Sequence, residues 1–159
     1  VNFYLAGSGP YINSIRPHCP SNLHLVGRLP VSGVRRLLSS CDLYVHPSGL
    51  DALSRSVVEA SLMEKPIVAS DVGGMPEIIE HNKTGYLCDI DNPEIWIEKI
   101  RFLLENPSFA ETLGRKARKS VVEKFDWKRI AKDFVEKLSE QKGWKALTGG
   151  RSDSIREPT

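Results

Sequence analysis

The sequence predicts an α/β protein with a doubly wound parallel sheet, helices on both faces of the sheet and a helical C-terminal segment. Short apolar runs alternate with helical patterns through the first half of the chain, and several runs are apolar on both faces, as in strands that are covered on both sides. After Asp91 the pattern is wholly helical. The 159 residues, 40% of them hydrophobic, are enough to bury one ordinary core.

Each of the five predicted strands is a short apolar run bounded by Gly, Pro, Asn or Ser. The runs are NFYLA (2–6), LHLV (23–26), LYVH (43–46), IVAS (67–70) and YLCD (86–89). The segments between them suit connecting helices. They are YINSIR (11–16), SGVRRLLSSC (32–41), SRSVVEASLME (54–64) and a short PEII turn (76–79). Strands that alternate with helices in this way favour a parallel sheet.

Three helical patterns fill the C-terminal part of the chain: PEIWIEKIRFLLEN, SFAETLGRKARKSVVEKF and DWKRIAKDFVEKLSEQK. The third puts four apolar residues on one stripe, which predicts a helix laid on a core: Ile130, Phe134, Val135 and Leu138. From Gly143 onward the periodicity is lost, and Gly, Ser, Pro and charged residues become frequent. We therefore expect one domain over residues 1–142 and a mobile tail over residues 143–159.

Charge and cysteine content argue against several classes of protein. The net charge of +2 is small and the basic residues are interspersed with acids, so we expect no nucleic-acid partner. Cys19, Cys41 and Cys88 are an odd number without CxxC spacing, which favours a reduced, cytoplasmic protein over a disulfide framework or a zinc site. No apolar run approaches the roughly 18 to 20 residues of a membrane span.

Parallel sheets bind ligands at the carboxyl ends of their strands, so the loops that follow the strands are the candidate sites. The loop AGSGP (6–10) holds two glycines, Gly7 and Gly9, that would let a ligand approach the backbone, although a tight turn explains them equally well. The loop HPSGLDALS (46–54) leads into a helix whose first amides would be unpaired and would favour a phosphate. Ser54 could equally cap that helix, and the two roles are compatible.

Two acids, Asp51 and Glu59, lie eight residues apart, one before this helix and one within it. If both were helical, eight residues would turn the helix by roughly 80° beyond two full turns and advance it by about 12 Å, so the carboxylates would not form a close pair and shared-proton chemistry is not implied. They would instead hold two hydroxyl-bearing groups, a ribose diol and a sugar hydroxyl, on either side of a phosphate. Taken alone, Glu59 could also be a partly exposed helix residue, and Asp51 a loop acid that caps the helix.

Several stretches together resemble the C-terminal, donor-binding domain of the retaining GT-B glycosyltransferases, the large group 1 family of hexosyl- and mannosyltransferases. They are GSGP, LHLVGRLP, LLSSCDLYVHPS, DALSRSVVEASLMEKPIVASDVGGMPEIIEHNKTGYLCD and FDWKRIAKDFVEKL. The similarity covers residues 1–142 and is most specific between Pro47 and Glu80. The resemblance implies a Rossmann-like domain that binds a nucleotide diphosphosugar and forms the C-terminal half of a GT-B fold.

The resemblance also implies roles for individual residues. Glu59 matches the acid that holds the nucleoside ribose, and Asp51 stands in place of an acid, usually Glu, that contacts sugar hydroxyls. The amides of three consecutive residues would lie beside the sugar and the diphosphate: Leu53, Ser54 and Arg55.

The remaining matched positions are Gly7, Ser8 and Gly9 near the diphosphate, Arg28 and Leu29 near the base, and Gly73, Gly74 and Glu77 in a signature beside the donor pocket. On their own, the last two glycines are also typical of a turn, and Glu77 of a surface acid.

By the same resemblance, the parent enzyme would transfer a hexose from a UDP- or GDP-linked donor with retention at the anomeric carbon, without a metal or a cofactor. The acceptor, a glycan or a lipid-linked group, would be held by an N-terminal domain upstream of Val1, so we expect no turnover from this chain alone. Peripheral membrane association through that domain is compatible with the sequence. Two alternatives stay open: a nucleotide-binding module of the same fold without transfer chemistry, and a sugar-nucleotide epimerase of similar architecture.

Overall fold

The computed structural model describes residues 1–140 of the 159-residue chain. Residues 143–159, for which the sequence predicts a mobile tail, lie outside the described part. The strands within it are β1 (Phe3–Ala6), β2 (Leu23–Gly27), β3 (Tyr44–His46), β4 (Ile67–Ser70) and β5 (Tyr86–Cys88). Each strand begins and ends within one residue of the bounds that the sequence predicts.

Helices connect the strands and fill the C-terminal part of the described chain. They are α1 (Ile12–Ile15), which continues into a 3₁₀ turn (Arg16–His18), α2 (Val31–Ser40), α3 (Arg55–Leu62), α4 (Met75–Ile78), α5 (Pro93–Glu105), α6 (Pro107–Lys124) and α7 (Trp127–Glu140). The predicted order of strands and helices is therefore confirmed. Across residues 1–140, no helix combines the length and the apolar character needed to cross a bilayer.

All strand pairs are parallel, as predicted, but they form two sheets. In the smaller sheet β1 pairs with β2, with Phe3 opposite Leu23. In the larger sheet β4 lies between β3 and β5, with Val68 opposite both Val45 and Tyr86. Every residue of β4 is buried, whereas β1 is exposed along its whole length. The expectation of strands covered on both faces thus holds for β4, the central strand of the larger sheet, and not for β1.

The core forms around β4 and β5. Val68 and Tyr86 belong to one buried cluster with Trp96 and Leu103 of α5 and Leu113 of α6. Trp96 and Leu103 are seven residues apart, so they lie on the same face of their helix. Each large apolar side chain that is fully buried contributes roughly 1.5–3 kcal/mol relative to an exposed one. The cluster therefore anchors the central strand, and with it the loops at the carboxyl end of that strand.

The structure divides into two compact units, of which the first comprises Val1–Ser120 and the second begins at Val121. The second unit holds the end of α6 and the whole of α7. No residue of α7 is buried, and Trp127 and Phe134 are 80% and 63% exposed. The predicted helix has formed, and of its apolar stripe Ile130 and Leu138 are half-buried, whereas Phe134 and Val135 are exposed. A helical period predicts which side chains share a face, and not what covers that face.

Candidate functional site

The carboxyl edge of the three-stranded sheet brings together the loops that follow β3 and β4. His46 ends β3 and lies opposite Ala69, near the end of β4. The Ser70 hydroxyl donates to the His46 carbonyl oxygen at 3.3 Å and ties the two strand ends together. Because both strands run in the same direction, the loop at residues 47–54 and the turn at residues 71–74 leave the sheet at the same edge.

Helix α3 begins at this edge without a side-chain cap. Ser54 occupies the N-cap position, with φ −74° and ψ 108°, but its hydroxyl makes no capping bond. The hydroxyl lies instead 3.0 Å from the Ser56 hydroxyl and 3.3 Å from His46 Nε2. The alternative that the Ser54 side chain caps the helix is therefore wrong. The first-turn amides of α3 are left to another acceptor.

Asp51 lies in the loop before α3 and pairs with His46. The Asp51 Oδ2 atom is 3.0 Å from His46 Nε2, and the two side chains are 25% and 19% exposed. The imidazole donates in this bond, because an ionised carboxylate can only accept. The bond uses one carboxylate oxygen and leaves the second for another donor. Asp51 thus has the position and the chemistry of a hydroxyl acceptor beside the start of α3.

Glu59 lies in the second turn of α3 and has a different partner. Its Oε1 atom accepts from Nε of Arg55, four residues earlier, at 3.3 Å. The Arg55 side chain is 87% exposed, and an exposed pair at this spacing contributes only about 0.3–0.5 kcal/mol, so a ligand can displace it. Asp51 and Glu59 each bond a separate residue, in agreement with the expectation that they do not share a proton.

Tyr44 and His46 form a polar network with the start of α3, and neither is among the residues that the sequence predicts for the site. The Tyr44 hydroxyl donates to Ser56 Oγ at 2.9 Å and lies 3.4 Å from His46 Nδ1. The two rings stack with their centroids 6.1 Å apart, because residues two apart on a strand point to the same face. This alternation is the sequence signal that could have found them: two polar aromatic residues on one face of a strand that leads into a candidate loop.

The arrangement is not a nucleophilic triad. In a Ser–His–acid triad, the acid and the hydroxyl bond opposite ring nitrogens of the histidine. Here the Asp51 carboxylate and the Ser54 hydroxyl both approach Nε2 of His46. One nitrogen cannot donate its proton to the acid and accept the proton of the hydroxyl at the same time. The geometry therefore does not activate Ser54 and favours a binding role for the network.

Burial raises the pKa of the Tyr44 phenol, and the negative charges of Glu59 and Asp51 add to the shift. The hydrogen bond with Ser56 lowers this pKa; its effect is smaller than that of burial and larger than that of either acid. The phenol therefore keeps its proton at neutral pH and stays a donor. Since Tyr44 responds to both acids, Asp51 and Glu59 border the same polar network.

Gly73 and Gly74 form the turn after β4, where the Gly74 amide donates to the Asp51 carbonyl oxygen at 3.2 Å. A Cβ on Gly73 would lie 1.8 Å from that oxygen, and a Cβ on Gly74 would lie 1.8 Å from the Ala52 carbonyl oxygen. Gly73 also has φ +53°, a conformation that favours glycine. Glu77, exposed in the short helix α4, donates its amide to the Gly74 carbonyl oxygen at 3.1 Å. The two glycines are thus both a turn and a support for the Asp51 loop.

The other predicted site residues lie at the carboxyl edge of the two-stranded sheet. The Gly7 amide donates to the Gly27 carbonyl oxygen at 2.8 Å and joins the loops that follow β1 and β2. The remaining predicted residues of these two loops are exposed or half-buried: Ser8, Gly9, Arg28 and Leu29. The structure therefore gathers the predicted residues into two sets, one at the edge of each sheet.

Within residues 1–140, no group of three or more His, Cys, Asp or Glu side chains is placed to hold a metal ion. The acidic run DID at residues 89–91 forms a turn, in which Asp89 Oδ1 accepts from the Asp91 amide at 3.0 Å. Asn92 then caps α5 by accepting from the Ile95 amide. The polar side chains of this segment thus serve the start of a helix.

A family model described as glycosyl transferases group 1 matches residues 6–120, a range that includes both sets of candidate residues. Among curated relatives, the chain is 31% identical over 134 residues to N-acetyl-alpha-D-glucosaminyl L-malate synthase of Bacillus anthracis. That alignment covers 82% of this chain and 35% of the relative. The sequence similarity thus extends over the larger part of the chain.

Two solved structures have a similar fold. A variant of TarM from S. aureus, in complex with fondaparinux, alpha-GlcNAc-glycerol and UDP, matches with a TM-score of 0.75 at 28% identity, over 86% of this chain and 28% of that one. HepE of Anabaena, in complex with UDP-glucose, matches with a TM-score of 0.77 over 88% of this chain and 41% of that one. The identity to HepE is 24%, so this second likeness shows the fold alone.

The matched proteins are much longer than this chain. The chain spans about a third of the length of the curated relatives it matches. The match to the family model extends over most of the chain, and its parallel strands alternate with helices in a fold that resembles the solved structures. The chain therefore belongs to the glycosyl transferases group 1 family and has the α/β architecture of a GT-B glycosyltransferase domain.

Proposed function

We propose that this chain holds the nucleotide diphosphosugar donor of a hexosyltransferase. The observation that carries the proposal is the arrangement around the start of α3. Two acids with separate partners, Asp51 and Glu59, flank a helix start that its own N-cap side chain leaves unbonded. A diphosphate needs amide donors and positive potential, and the ribose and sugar on either side of it present hydroxyls that carboxylates bind. The order of acid, helix start and acid along the chain supports an assignment to sugar, diphosphate and ribose.

The diphosphate is assigned to the first turn of α3. The amides of Leu53, Ser54 and Arg55 precede or begin this helix, and an aligned helix carries about half a positive charge at its N-terminus. The Ser54 hydroxyl faces His46 and Ser56, so it does not compete with a phosphate for the helix amides. The exposed guanidinium of Arg55 adds a positive charge at the same end.

Glu59 is assigned to the ribose and Asp51 to the sugar. The Glu59 side chain is 38% exposed, so two ribose hydroxyls can reach its carboxylate without disturbing the core. Its bond to Arg55 is weak enough to be exchanged for the ligand. Asp51 keeps one carboxylate oxygen on His46 and has the other for a sugar hydroxyl. Glu59 would then serve every nucleotide that carries the ribose, whereas Asp51 would matter only when the sugar is present.

The loops after β1 and β2 are assigned to the remaining parts of the donor. Residues 7–9 would lie near the diphosphate, and residues 28–29 would lie near the base. The hydrogen bond from the Gly7 amide to the Gly27 carbonyl oxygen supports a joint role, because it holds the two loops side by side.

The reaction proposed for the complete enzyme is transfer of a hexose from a UDP- or GDP-linked donor with retention at the anomeric carbon. The bond between the anomeric carbon and the diphosphate oxygen breaks, its electron pair leaves with the diphosphate, and the helix start and cationic side chains stabilise the new charge. An acceptor hydroxyl on a glycan or a lipid-linked group forms the new bond to the anomeric carbon and gives its proton to the departing diphosphate. A domain outside this chain would present that acceptor. The proposal requires no metal or cofactor. Family membership, the UDP in the TarM complex and the greater length of the relatives support it.

Titration calorimetry of the purified protein with UDP, GDP, UDP-glucose and GDP-mannose tests the donor site. We expect one nucleotide to bind, and Glu59→Gln to weaken its binding about tenfold, because charge-assisted bonds to the ribose are lost. Glu111→Gln is the control, since Glu111 also pairs with an arginine four residues away, Arg115 on α6, in the reverse order along the helix. If neither nucleotide binds, or if the two variants behave alike, the donor-site proposal is wrong.

Transfer is tested on the complete polypeptide. It would be incubated with the sugar nucleotide that binds and with a panel of glycan and lipid-linked acceptors, and the anomeric configuration of the product would be read by NMR. We expect the product to keep the configuration of the donor. Binding without transfer to any acceptor would favour the nucleotide-binding module without chemistry. Conversion of the sugar nucleotide without an acceptor would favour an epimerase.

A further inference from the structure

The His46 ring is held from several directions at the carboxyl end of β3. Its Nε2 atom is 3.0 Å from Asp51 Oδ2, and its Nδ1 atom is 3.4 Å from the Tyr44 hydroxyl. The Tyr44 ring stacks against it at an interplanar angle of 17°. Its own carbonyl oxygen accepts from the Ser70 hydroxyl on the neighbouring strand. The imidazole is therefore held by Tyr44 of its own strand on one side and by Asp51 of the following loop on the other.

The direction of the His46–Asp51 hydrogen bond follows from the neighbours of the ring. Asp51 accepts from Nε2, so this nitrogen carries the proton of the pair. The phenolic proton of Tyr44 goes to Ser56 Oγ, which at 2.9 Å is closer than His46 Nδ1. The Nε2–H group is thus aimed at Asp51 in a direction fixed by residues of β3 and α3.

The loop that carries Asp51 has little packing of its own. Leu50 is 88% exposed and Leu53 is 47% exposed, so the loop has no apolar anchor on either side of Asp51. The Gly74 amide holds the Asp51 carbonyl oxygen and so fixes the backbone. The bond to His46 is the contact that fixes the Asp51 side chain, whose two rotatable bonds would otherwise let the carboxylate occupy several rotamers.

We propose that His46 is a positioning residue for the donor sugar. It holds one oxygen of Asp51, so that the other oxygen accepts a sugar hydroxyl at a defined place. The inference rests on the proposed function, because it takes the assignment of Asp51 to the sugar from there. An acceptor that is fixed before binding loses less entropy and distinguishes the hydroxyl configurations of hexoses more sharply. His46 thereby sets how much the sugar adds to donor binding.

Two substitutions at His46 separate this role from a structural one. His46→Gln keeps an N–H donor near the place of Nε2, whereas His46→Asn carries its amide near the place of Nδ1 and cannot reach Asp51. The quantity to measure is the Kd of the free nucleoside diphosphate divided by the Kd of its sugar conjugate. The probes are UDP with UDP-glucose and GDP with GDP-mannose, titrated into the purified protein.

We expect His46→Asn to lower this ratio about tenfold, because the fixed carboxylate is lost, and His46→Gln to restore most of it. The Kd of the free nucleoside diphosphate should change little in either variant. The matched control is His24→Asn, since the His24 ring is exposed on β2 and stacks on Tyr4 in the smaller sheet. The control should leave the ratio at its wild-type value.

A double-mutant cycle with Asp51→Asn completes the test. If His46 acts through Asp51, His46→Asn lowers the ratio no further in the Asp51→Asn background. Additive losses in the cycle, equal weakening of nucleotide and sugar nucleotide, or no restoration by His46→Gln would overturn the inference. If the nucleotide binds and the ratio of the two Kd values is the same in His46→Asn as in the wild type, this inference alone is overturned. A wild-type protein that binds neither UDP nor GDP overturns the proposed function, and the inference with it.

Discussion

The carbonyl oxygen of Asp51 lies so close to Gly73 that a Cβ on this glycine would be 1.8 Å from it. The amide of the next residue, Gly74, donates to the same oxygen at 3.2 Å. The backbone of the loop that carries Asp51 therefore lies directly against the backbone of the turn after β4. A glycine pair after β4 permits this close approach, because any side chain at either position would push the loop away.

Alanine at either glycine should destabilise the protein and displace the Asp51 loop. We expect Gly74→Ala to cost about 1–3 kcal/mol of unfolding free energy through steric overlap, and Gly73→Ala to cost more, because its φ of +53° adds backbone strain. Urea denaturation measures both. The control is Gly49→Ala in the same loop, where a Cβ would meet no atom within 4 Å. Equal stability of Gly49→Ala and Gly74→Ala would contradict the close approach.

The two acids should affect different parts of the donor. Glu59→Gln should weaken the binding of the nucleoside diphosphate and of its sugar conjugate by the same factor, because the ribose is common to both. Asp51→Asn should weaken only the sugar conjugate, by about tenfold, because the bond that it loses is to the sugar. Calorimetric titration of the two variants with both ligands gives four Kd values, each of which is compared with the wild-type value for the same ligand. The assignment of the acids is wrong if Asp51→Asn weakens the free nucleotide as strongly as Glu59→Gln does.

The sequence predicts the parts of this site that depend on local pattern. The run IVAS at residues 67–70 is apolar at every position but the last, and it forms the buried central strand of the larger sheet. The position of Asp51 before the helix and of Glu59 within it predicts that the two acids do not share a proton, and in the fold each has a separate partner. Both predictions use residues within a few turns of one another.

The parts that the sequence does not predict depend on contacts between segments. Ser54 has the residue type and position of a helix cap, but two other polar groups, His46 Nε2 and Ser56 Oγ, engage its hydroxyl in the fold. In the sequence, His46 has only the features of a strand residue. Its contact with Asp51 forms when the loop after β3 folds back over the end of that strand. Similarly, the period of α7 predicts its apolar stripe and carries no information on what covers that stripe.

The shifted pKa of Tyr44 predicts a loss of stability at alkaline pH. Burial raises this pKa above its ordinary value of 10.0, so the folded protein holds the phenolic proton more tightly than the unfolded chain does. The resulting stability is fully present below pH 10 and is lost as the pH rises through the folded-state pKa. The free energy of unfolding of the wild type should therefore fall in this range.

Tyr44→Phe tests the alkaline loss, because phenylalanine has no proton to lose. At neutral pH the variant should be about 1 kcal/mol less stable than the wild type, since the bond to Ser56 is gone, and the two curves should converge as the pH rises. Urea denaturation between about pH 8 and pH 11 measures the difference. Cys41 and Cys88, whose pKa values are raised by burial, are present in both proteins and cancel. A constant difference across this range would contradict the role of Tyr44.

Gly114 gives a prediction in which packing reverses the effect of helix propensity. It lies within α6, where replacing glycine by alanine ordinarily stabilises a helix by about 1 kcal/mol. A Cβ on Gly114, however, would lie 1.9 Å from the carbonyl oxygen of Glu64, which follows α3 and has φ +58°. The glycine therefore lets α6 approach the backbone between α3 and β4.

We expect Gly114→Ala to lower the free energy of unfolding by about 1–3 kcal/mol, because a backbone atom cannot move aside as a side chain can. Gly33→Ala in α2 is the matched comparison, since the nearest atoms to its Cβ would be side-chain atoms of Leu29 and Pro30 at 3.2 Å. That variant should stay within about 1 kcal/mol of the wild type, as gain in helix propensity offsets mild crowding. Urea denaturation with an unchanged m-value distinguishes the two, and a Gly114→Ala protein as stable as the wild type would show that α6 does not lie against Glu64.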